Sequence, residues 1–172
     1  MVFFFIGFMG CGKSTIGKQL AHKLNYKFID LDELIILKTN SSIPDFFDKY
    51  GEEEFRKKEY DLLRKIDFSD ALIVSTGGGT PCYKDNMEYI RNIGTTIYLK
   101  LETNLLCKRL INSHTIRPMV NGKSENELKI WVENLLNKRK VFYEKSHIVI
   151  DARNISTSLL LKVLTHIATK KL

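Results

Sequence analysis

Gly7-Phe8-Met9-Gly10-Cys11-Gly12-Lys13-Ser14-Thr15, entered directly from the apolar run Val2-Phe3-Phe4-Phe5-Ile6, is the stretch from which the rest of the chain is read. A glycine, four residues and then Gly-Lys-Ser make a phosphate-binding P-loop: the glycines let the backbone wrap a polyphosphate and aim successive N–H groups at it. Lys13 can reach the β- and γ-phosphates, and Ser14 can offer its hydroxyl to Mg²⁺. The helix that starts here turns its positive dipole end toward the anion. Both flanks agree with this reading: a strand-like run precedes the loop, and Ile16, Leu20, Ala21 and Leu24 follow it at helical spacing.

At 172 residues and 44% hydrophobic, the chain suits one domain with a well-buried core. A formal net charge of +7 favours anionic ligands without choosing among nucleotides, nucleic acid and acidic metabolites. Cys11, Cys82 and Cys107 form no CxxC pair, so neither a zinc site nor a disulfide framework is expected. A cytosolic setting fits, with Cys11 a small filler inside the loop. No apolar run approaches the ~18 to 20 residues of a membrane span, and neither a nucleic-acid recognition motif nor a membrane partner is expected.

A second strand over Tyr26-Lys27-Phe28-Ile29 ends in Asp30-Leu31-Asp32. Two acids beyond the carboxyl end of a strand lie where open α/β sheets bind ligands. The competing account has Asp32 capping a helix over Glu33 to Lys38, but a cap needs only one of the pair, and a ligand role is favoured. Ser41-Ser42-Ile43-Pro44 signals a helix start, Gly51 a stop, and Phe55, Leu62, Leu63 and Ile66 share one face of the next helix. Arg56 and Glu59, three apart beside that face, are either a solvent-exposed ion pair or a carboxylate holding a ligand-binding guanidinium; periodicity does not decide between them.

Ala71-Leu72-Ile73-Val74-Ser75 reads as a strand buried on both faces, and it runs into Thr76-Gly77-Gly78-Gly79-Thr80-Pro81. Three consecutive glycines imply backbone pressed close to a ligand or positive φ angles. A helix over Tyr83 to Arg91, a strand over Gly94 to Leu99 and a helix capped by Thr103 follow. The polar stretch of about 112–124, with Arg117 before Pro118, has the length of a lid. Its His114 has no partner spaced to share a metal. The next helix carries Leu128, Val132, Leu135 and Phe142 in one stripe, with Arg139 inside it, where it either needs an anionic partner or lays its stem on the core. Ile148 to Asp151 is a fifth strand, and Ser156 to Lys171 a closing helix.

Taken together, these residues resemble the shikimate kinase family, small P-loop kinases of the nucleoside-monophosphate-kinase-like fold. The resemblance runs from Val2 to about Asp151. It rests on the loop at 7 to 15, Phe-Ile-Asp-Leu-Asp at 28 to 32, Phe55-Arg56 with Glu59, Ser-Thr-Gly-Gly-Gly at 75 to 79, and Arg117-Pro118 followed by Arg139 with Tyr143-Glu144. The P-loop alone says only that a nucleoside triphosphate binds; the combination is specific.

The resemblance implies a three-layer α/β/α domain spanning 1–172, with a five-stranded parallel sheet of order 2-3-1-4-5, a substrate-binding segment at about 32–62 and a mobile lid at about 112–124. It implies transfer of the γ-phosphoryl of ATP to the 3-hydroxyl of shikimate. Lys13, Asp32 and Arg117 would be catalytic, Asp32 binding the substrate hydroxyls and taking or orienting the acceptor proton. Gly10, Cys11, Gly12, Lys13, Ser14, Thr15, Arg109, Arg117 and Arg153 would surround ATP. Asp32, Arg56, Gly77, Gly78, Gly79 and Arg139 would bind shikimate, the two arginines on its carboxylate and Glu59 steadying Arg56. Mg²⁺ would take Ser14 directly, with Asp30 and Ser75 reaching it through water. A cytoplasmic monomer is expected. Another small-molecule P-loop kinase, for gluconate or a nucleoside monophosphate, is the nearest rival; a non-catalytic nucleotide-binding module would not need a carboxylate beside the acceptor, and a nucleic-acid binder finds no recognition motif in the sequence.

Overall fold

Side chains alternate across the strands, and that alternation sorts the core into two halves. The structure, a computed structural model, describes residues 1–113 and 122–170. The strands are β1 (Val2–Ile6), β2 (Lys27–Asp30), β3 (Leu72–Ser75), β4 (Thr95–Lys100) and β5 (Ile148–Asp151). They form one parallel sheet of order β2-β3-β1-β4-β5, as expected. The helices are α1 (Lys13–Leu24), α2 (Leu31–Thr39), α3 (Ile43–Leu63), α4 (Asn86–Ile93), α5 (Thr103–Ile111), α6 (Glu125–Tyr143) and α7 (Thr157–Lys170), with a 3₁₀ turn at Thr80–Cys82.

Phe3, Phe5, Ile73, Ile97 and Leu99 project to one side, where Leu20 of α1, Leu106 of α5, Val132 of α6 and Leu160 of α7 cover them. Val2, Phe4, Ile6, Leu72, Val74 and Tyr98 project to the other, against Ile35 of α2, Leu63 of α3, Ile90 of α4 and Tyr143 of α6. The central strand β1 is buried at every position, which its unbroken apolar sequence requires. The result is the expected three-layer domain. No helix among the described residues is long and apolar enough to cross a membrane.

Local chemistry adjusts several expected boundaries. Asp30, not Asp32, caps α2: its Oδ1 accepts from the Asp32 N–H at 3.0 Å and the Glu33 N–H at 3.4 Å. Glu102 rather than Thr103 occupies the N-cap of α5. The helix expected from Tyr83 begins at Asn86, because the 3₁₀ turn consumes the residues after the glycines. Gly51 (φ 80°, ψ 173°) breaks the helical path inside α3, so the stop expected there is a kink between two helical pieces. On α6 the buried stripe runs Leu128, Val132, Arg139, Tyr143; Phe142 is only half-buried. Ser124 and Glu127 start α6 with a reciprocal capping box. Residues 114–121, which hold His114, Arg117 and most of the expected lid, lie outside the described residues.

Candidate active site

Parallel register brings the chemistry to one edge of the sheet. Asp30 and Phe5 are both Cα partners of Ser75, so the carboxyl ends of β2, β3 and β1 finish together beside the phosphate loop. Gly10 and Gly12 take positive φ (81° and 103°), which turns the loop over the start of α1. Gly12 is the N-cap of α1 and no side chain caps it, leaving first-turn N–H groups for an anion. The Lys13 ammonium, nearly buried, donates to the carbonyls of Gly7 (3.0 Å) and Phe8 (3.1 Å). Cys11 is buried in the loop as the filler expected, while Thr15 stands exposed on the first turn of α1.

Arg109 bridges two parts of this end. Its Nη1 donates to the Cys11 carbonyl at 3.1 Å, and its Nη2 to the Ala152 carbonyl at 3.5 Å. The guanidinium therefore joins the phosphate loop to the turn after β5. Arg153, also assigned to ATP by resemblance, is differently engaged: it pairs with Asp151 at 2.6 Å and Glu102 at 3.4 Å on an exposed surface, rather than with the phosphate loop.

Ser14 and Ser75 bring their hydroxyl oxygens to 3.2 Å of each other. Among the described residues no group of three or more His, Cys, Asp or Glu side chains forms a metal cage. Two adjacent hydroxyls with the Asp30 carboxylate in register suit a Mg²⁺ ion, which keeps several waters and takes the rest of its shell from nucleotide phosphates.

At the opposite end of the site, acids and guanidiniums interlock. Asp32 is freed from capping by Asp30, and its carboxyl is pushed up to about 6 by burial and by the Glu59 and Asp30 carboxylates, against the pull of Lys13 and Arg56. Glu59 has 0% exposure; its Oε2 accepts from Arg56 Nη1 at 2.7 Å and its Oε1 accepts from the Thr80 hydroxyl. The solvent-exposed reading of this pair is thereby excluded. The exposed Glu52 adds a second, 3.3 Å contact to Arg56.

Arg139 is the outstanding group. It is 7% exposed, its guanidinium carbon lies 5.8 Å from the centre of the Phe8 ring, and its buried Nη1 has no hydrogen-bond partner. A stem with its head in water would not look like this. A buried guanidinium with an open donor calls for an anion.

The three glycines at 77–79 answer to crowding rather than to backbone angle, since none has positive φ. A Cβ on Gly77 would meet Glu59 Oε1, with Asp32 Oδ1 at 2.9 Å and Thr80 Oγ1 at 3.0 Å; on Gly79 it would overlap the Arg56 guanidinium. On Gly78 it would press on Arg139 Nη1 and the backbone of Met9. The Tyr143 hydroxyl ties this loop to α6 by donating to the Gly78 carbonyl at 2.5 Å. Sequence reasoning assigned no role to Thr80, Phe8 or the Tyr143 hydroxyl. A threonine in a glycine turn, a phenylalanine in a P-loop and a tyrosine one turn beyond Arg139 carry no local mark of where their side chains meet.

The uncapped phosphate loop and the guanidiniums of Arg56 and Arg139 thus meet at the triple-glycine loop, with the raised-pKa acid Asp32 beside them. Fold and site together define a P-loop kinase for a small anionic acceptor. The shikimate kinase family model matches residues 9–169. The chain is 48% identical over 147 residues to a shikimate kinase of Azobacteroides pseudotrichonymphae genomovar. CFP2, covering 85% of this chain and 86% of that one. The crystal structure of shikimate kinase from Bacteroides thetaiotaomicron superposes with a TM-score of 0.91 at 32% identity over 98% of both chains. The solved structure of the Acinetobacter baumannii shikimate kinase in complex with shikimate superposes with a TM-score of 0.87 at 32% identity, over 99% of this chain and 94% of the other. The chain belongs to the shikimate kinase family. It is a small-molecule kinase with ATP as its co-substrate.

Proposed function

We propose that this site performs the family's reaction, transfer of the γ-phosphoryl group of ATP to the 3-hydroxyl of shikimate, with the residues in the following roles. The observation that carries the assignment is the buried, unpartnered Nη1 of Arg139 facing the triple-glycine loop, a donor set for a carboxylate. Arg56 converges on the same carboxylate, held by Glu59. Gly77, Gly78 and Gly79 let shikimate approach the backbone closely.

Asp32 binds the ring hydroxyls and, when ionised, takes the proton of the acceptor hydroxyl as its oxygen bonds to the γ-phosphorus. The bond to the ADP β-phosphate oxygen breaks in the same displacement. Such transfers depend chiefly on positioning and on neutralising charge. Lys13 turns from the loop carbonyls to the β- and γ-phosphates, and the uncapped N–H groups at the start of α1 hold the phosphates with Gly10, Cys11, Gly12, Ser14 and Thr15. Arg117 adds positive charge over the transferring group; that role rests on the Arg117-Pro118 motif in the sequence. Arg109 lines the base end beside the Ala152 turn, with Arg153 at its rim. Mg²⁺, bound by Ser14 with Asp30 and Ser75 through water, would neutralise the β- and γ-phosphate oxygens. The chain works as a single domain, a cytoplasmic monomer with ATP and shikimate as its partners.

The test is ADP release from Mg·ATP with shikimate, quinate, gluconate or nucleoside monophosphates as acceptor, repeated with Asp32→Asn. Turnover that requires shikimate and collapses in the variant is expected. Turnover on gluconate or a nucleotide in place of shikimate would overturn the acceptor assignment.

A further inference from the structure

Glu59 is a fully buried carboxylate, and only two side chains supply it with donors among the described residues: Arg56 on Oε2 and Thr80 on Oε1. Thr80 is also fully buried, and it enters from the end of the triple-glycine loop, outside the helix that carries both members of the ion pair. A group that fixes another must itself be fixed. The Thr80 N–H donates to the Gly77 carbonyl at 3.2 Å, and the Thr80 carbonyl accepts from Asn86 Nδ2 at 2.9 Å. The Oδ1 of Asn86 accepts in turn from Arg64 Nη1 at 2.7 Å, Arg64 being the C-cap of α3, five residues beyond Glu59. Thr80 thus buckles the glycine loop to α3 at two levels, through its hydroxyl to Glu59 and through its main chain and Asn86 to Arg64.

We infer that Thr80 is a positioning residue for the acceptor end of the site, its hydroxyl orienting Glu59 and, through Glu59, the Arg56 guanidinium that receives the substrate carboxylate. The inference rests on the reading of Arg56 as a carboxylate ligand. Arg56 is pulled two ways, toward exposed Glu52 and toward buried Glu59. The guanidinium lies under Gly79 with Nη1 on buried Glu59 and Nη2 and Nε on exposed Glu52, closer than any side chain on residue 79 would permit, and Glu59 is the partner with no exposure to solvent. Without the Thr80 donor, Glu59 Oε1 is a buried acceptor with nothing to bond, and its carboxylate turns to share Arg56 through both oxygens or draws in water. Either rearrangement displaces the guanidinium from the substrate. Because Thr80 Oγ1 and Asp32 Oδ1 both crowd the same point over Gly77, the hydroxyl also bounds the space in which the acceptor hydroxyl is presented.

The experiment compares steady-state kinetics of Thr80→Val, Thr80→Ala and Thr80→Ser with those of Arg56→Lys and the Thr80→Val/Arg56→Lys double variant. Thr80→Val keeps the shape and removes the donor. It is expected to raise the shikimate KM about tenfold while the ATP KM stays within roughly twofold, the cost of one unpaired buried acceptor. Thr80→Ser, which keeps the hydroxyl, restores the shikimate KM to within about twofold of the parent, and the double variant is less than multiplicative because both changes act on one guanidinium. Should Thr80→Val fold poorly, the less demanding Thr80→Ala carries the same expectation. An unchanged shikimate KM in the valine or alanine variant, alongside a raised one in Arg56→Lys, would overturn the inference and leave the clamp standing. No response to Arg56→Lys would remove the clamp itself. Equal rises in both KM values, or a failure of serine to rescue, would mark Thr80 as a general structural residue.

Discussion

Arg139 Nη1 lies 3.3 Å from the position a Cβ would take on Gly78, and the same Cβ would stand 3.4 Å from the amide nitrogen of Met9 in the phosphate loop. One glycine is therefore sandwiched between the guanidinium at the acceptor end and the loop at the nucleotide end. The two halves of the site touch through it, so any side chain at 78 would push apart groups whose spacing sets an in-line transfer.

The open Nη1 of the buried Arg139 guanidinium makes activity and stability pull in opposite directions. A buried charge with an open donor is costly, and replacing it by an apolar side chain of similar length relieves that cost. Arg139→Met is expected to raise the melting temperature by a few degrees while raising the shikimate KM by about tenfold or more, with the ATP KM nearly unchanged. Differential scanning calorimetry and two-substrate kinetics check both halves. Loss of ATP binding in the variant would refute the carboxylate role.

The base role proposed for Asp32 predicts an acid limit on turnover. Its carboxyl titrates at about 6, so the ionised form that accepts a proton is depleted as pH falls below that value, and kcat/KM for shikimate should decline tenfold per unit there. The same shift has a stability consequence. A carboxyl raised on folding holds its proton more tightly in the native state, so its ionisation costs nothing near pH 3 to 4, penalises the fold increasingly between about 4 and 6, and does so fully above about 6. Asp32→Asn should therefore be more stable than the parent at pH 7.5, by of order 3 kcal/mol, and little different at pH 4. Paired urea melts at the two pH values measure this; equal gains at both would contradict a titrating Asp32.

Metal dependence separates the two serines. Chelation of Mg²⁺ should stop ADP release, and Ser14→Ala should move the Mg²⁺ activation curve to roughly tenfold higher concentration. Ser75→Ala, acting at one remove through water, should move it less. Activation curves at saturating ATP and shikimate give the answer, and a larger shift from Ser75 than from Ser14 would reverse the assignment of the direct ligand.

What the sequence alone determined is what short-range chemistry encodes. The run from Gly7 to Thr15 needs nothing beyond its own glycines, lysine and helix start to be a phosphate site, and the apolar strands β1 and β3 announce a parallel sheet covered on both faces. Asp30 and Asp32 were visible as acids at a strand end, but which of them is spent on the helix and which is free depended on a turn geometry that puts Asp30 Oδ1 against the Asp32 N–H. The tertiary structure alone decided how the groups around the triple glycine meet. Three glycines in a row have the same spelling whether they serve φ or space, and only the arrival of Glu59 and Arg56 from α3, Asp32 from α2 and Arg139 from α6 shows that space is what they supply. Likewise an arginine at helical spacing among leucines is ambiguous until its head is seen buried with a donor unpaired. Burial and the absence of a partner are properties of the packed molecule, because a charge becomes costly, and so becomes a ligand site, only when the rest of the chain has taken water away from it.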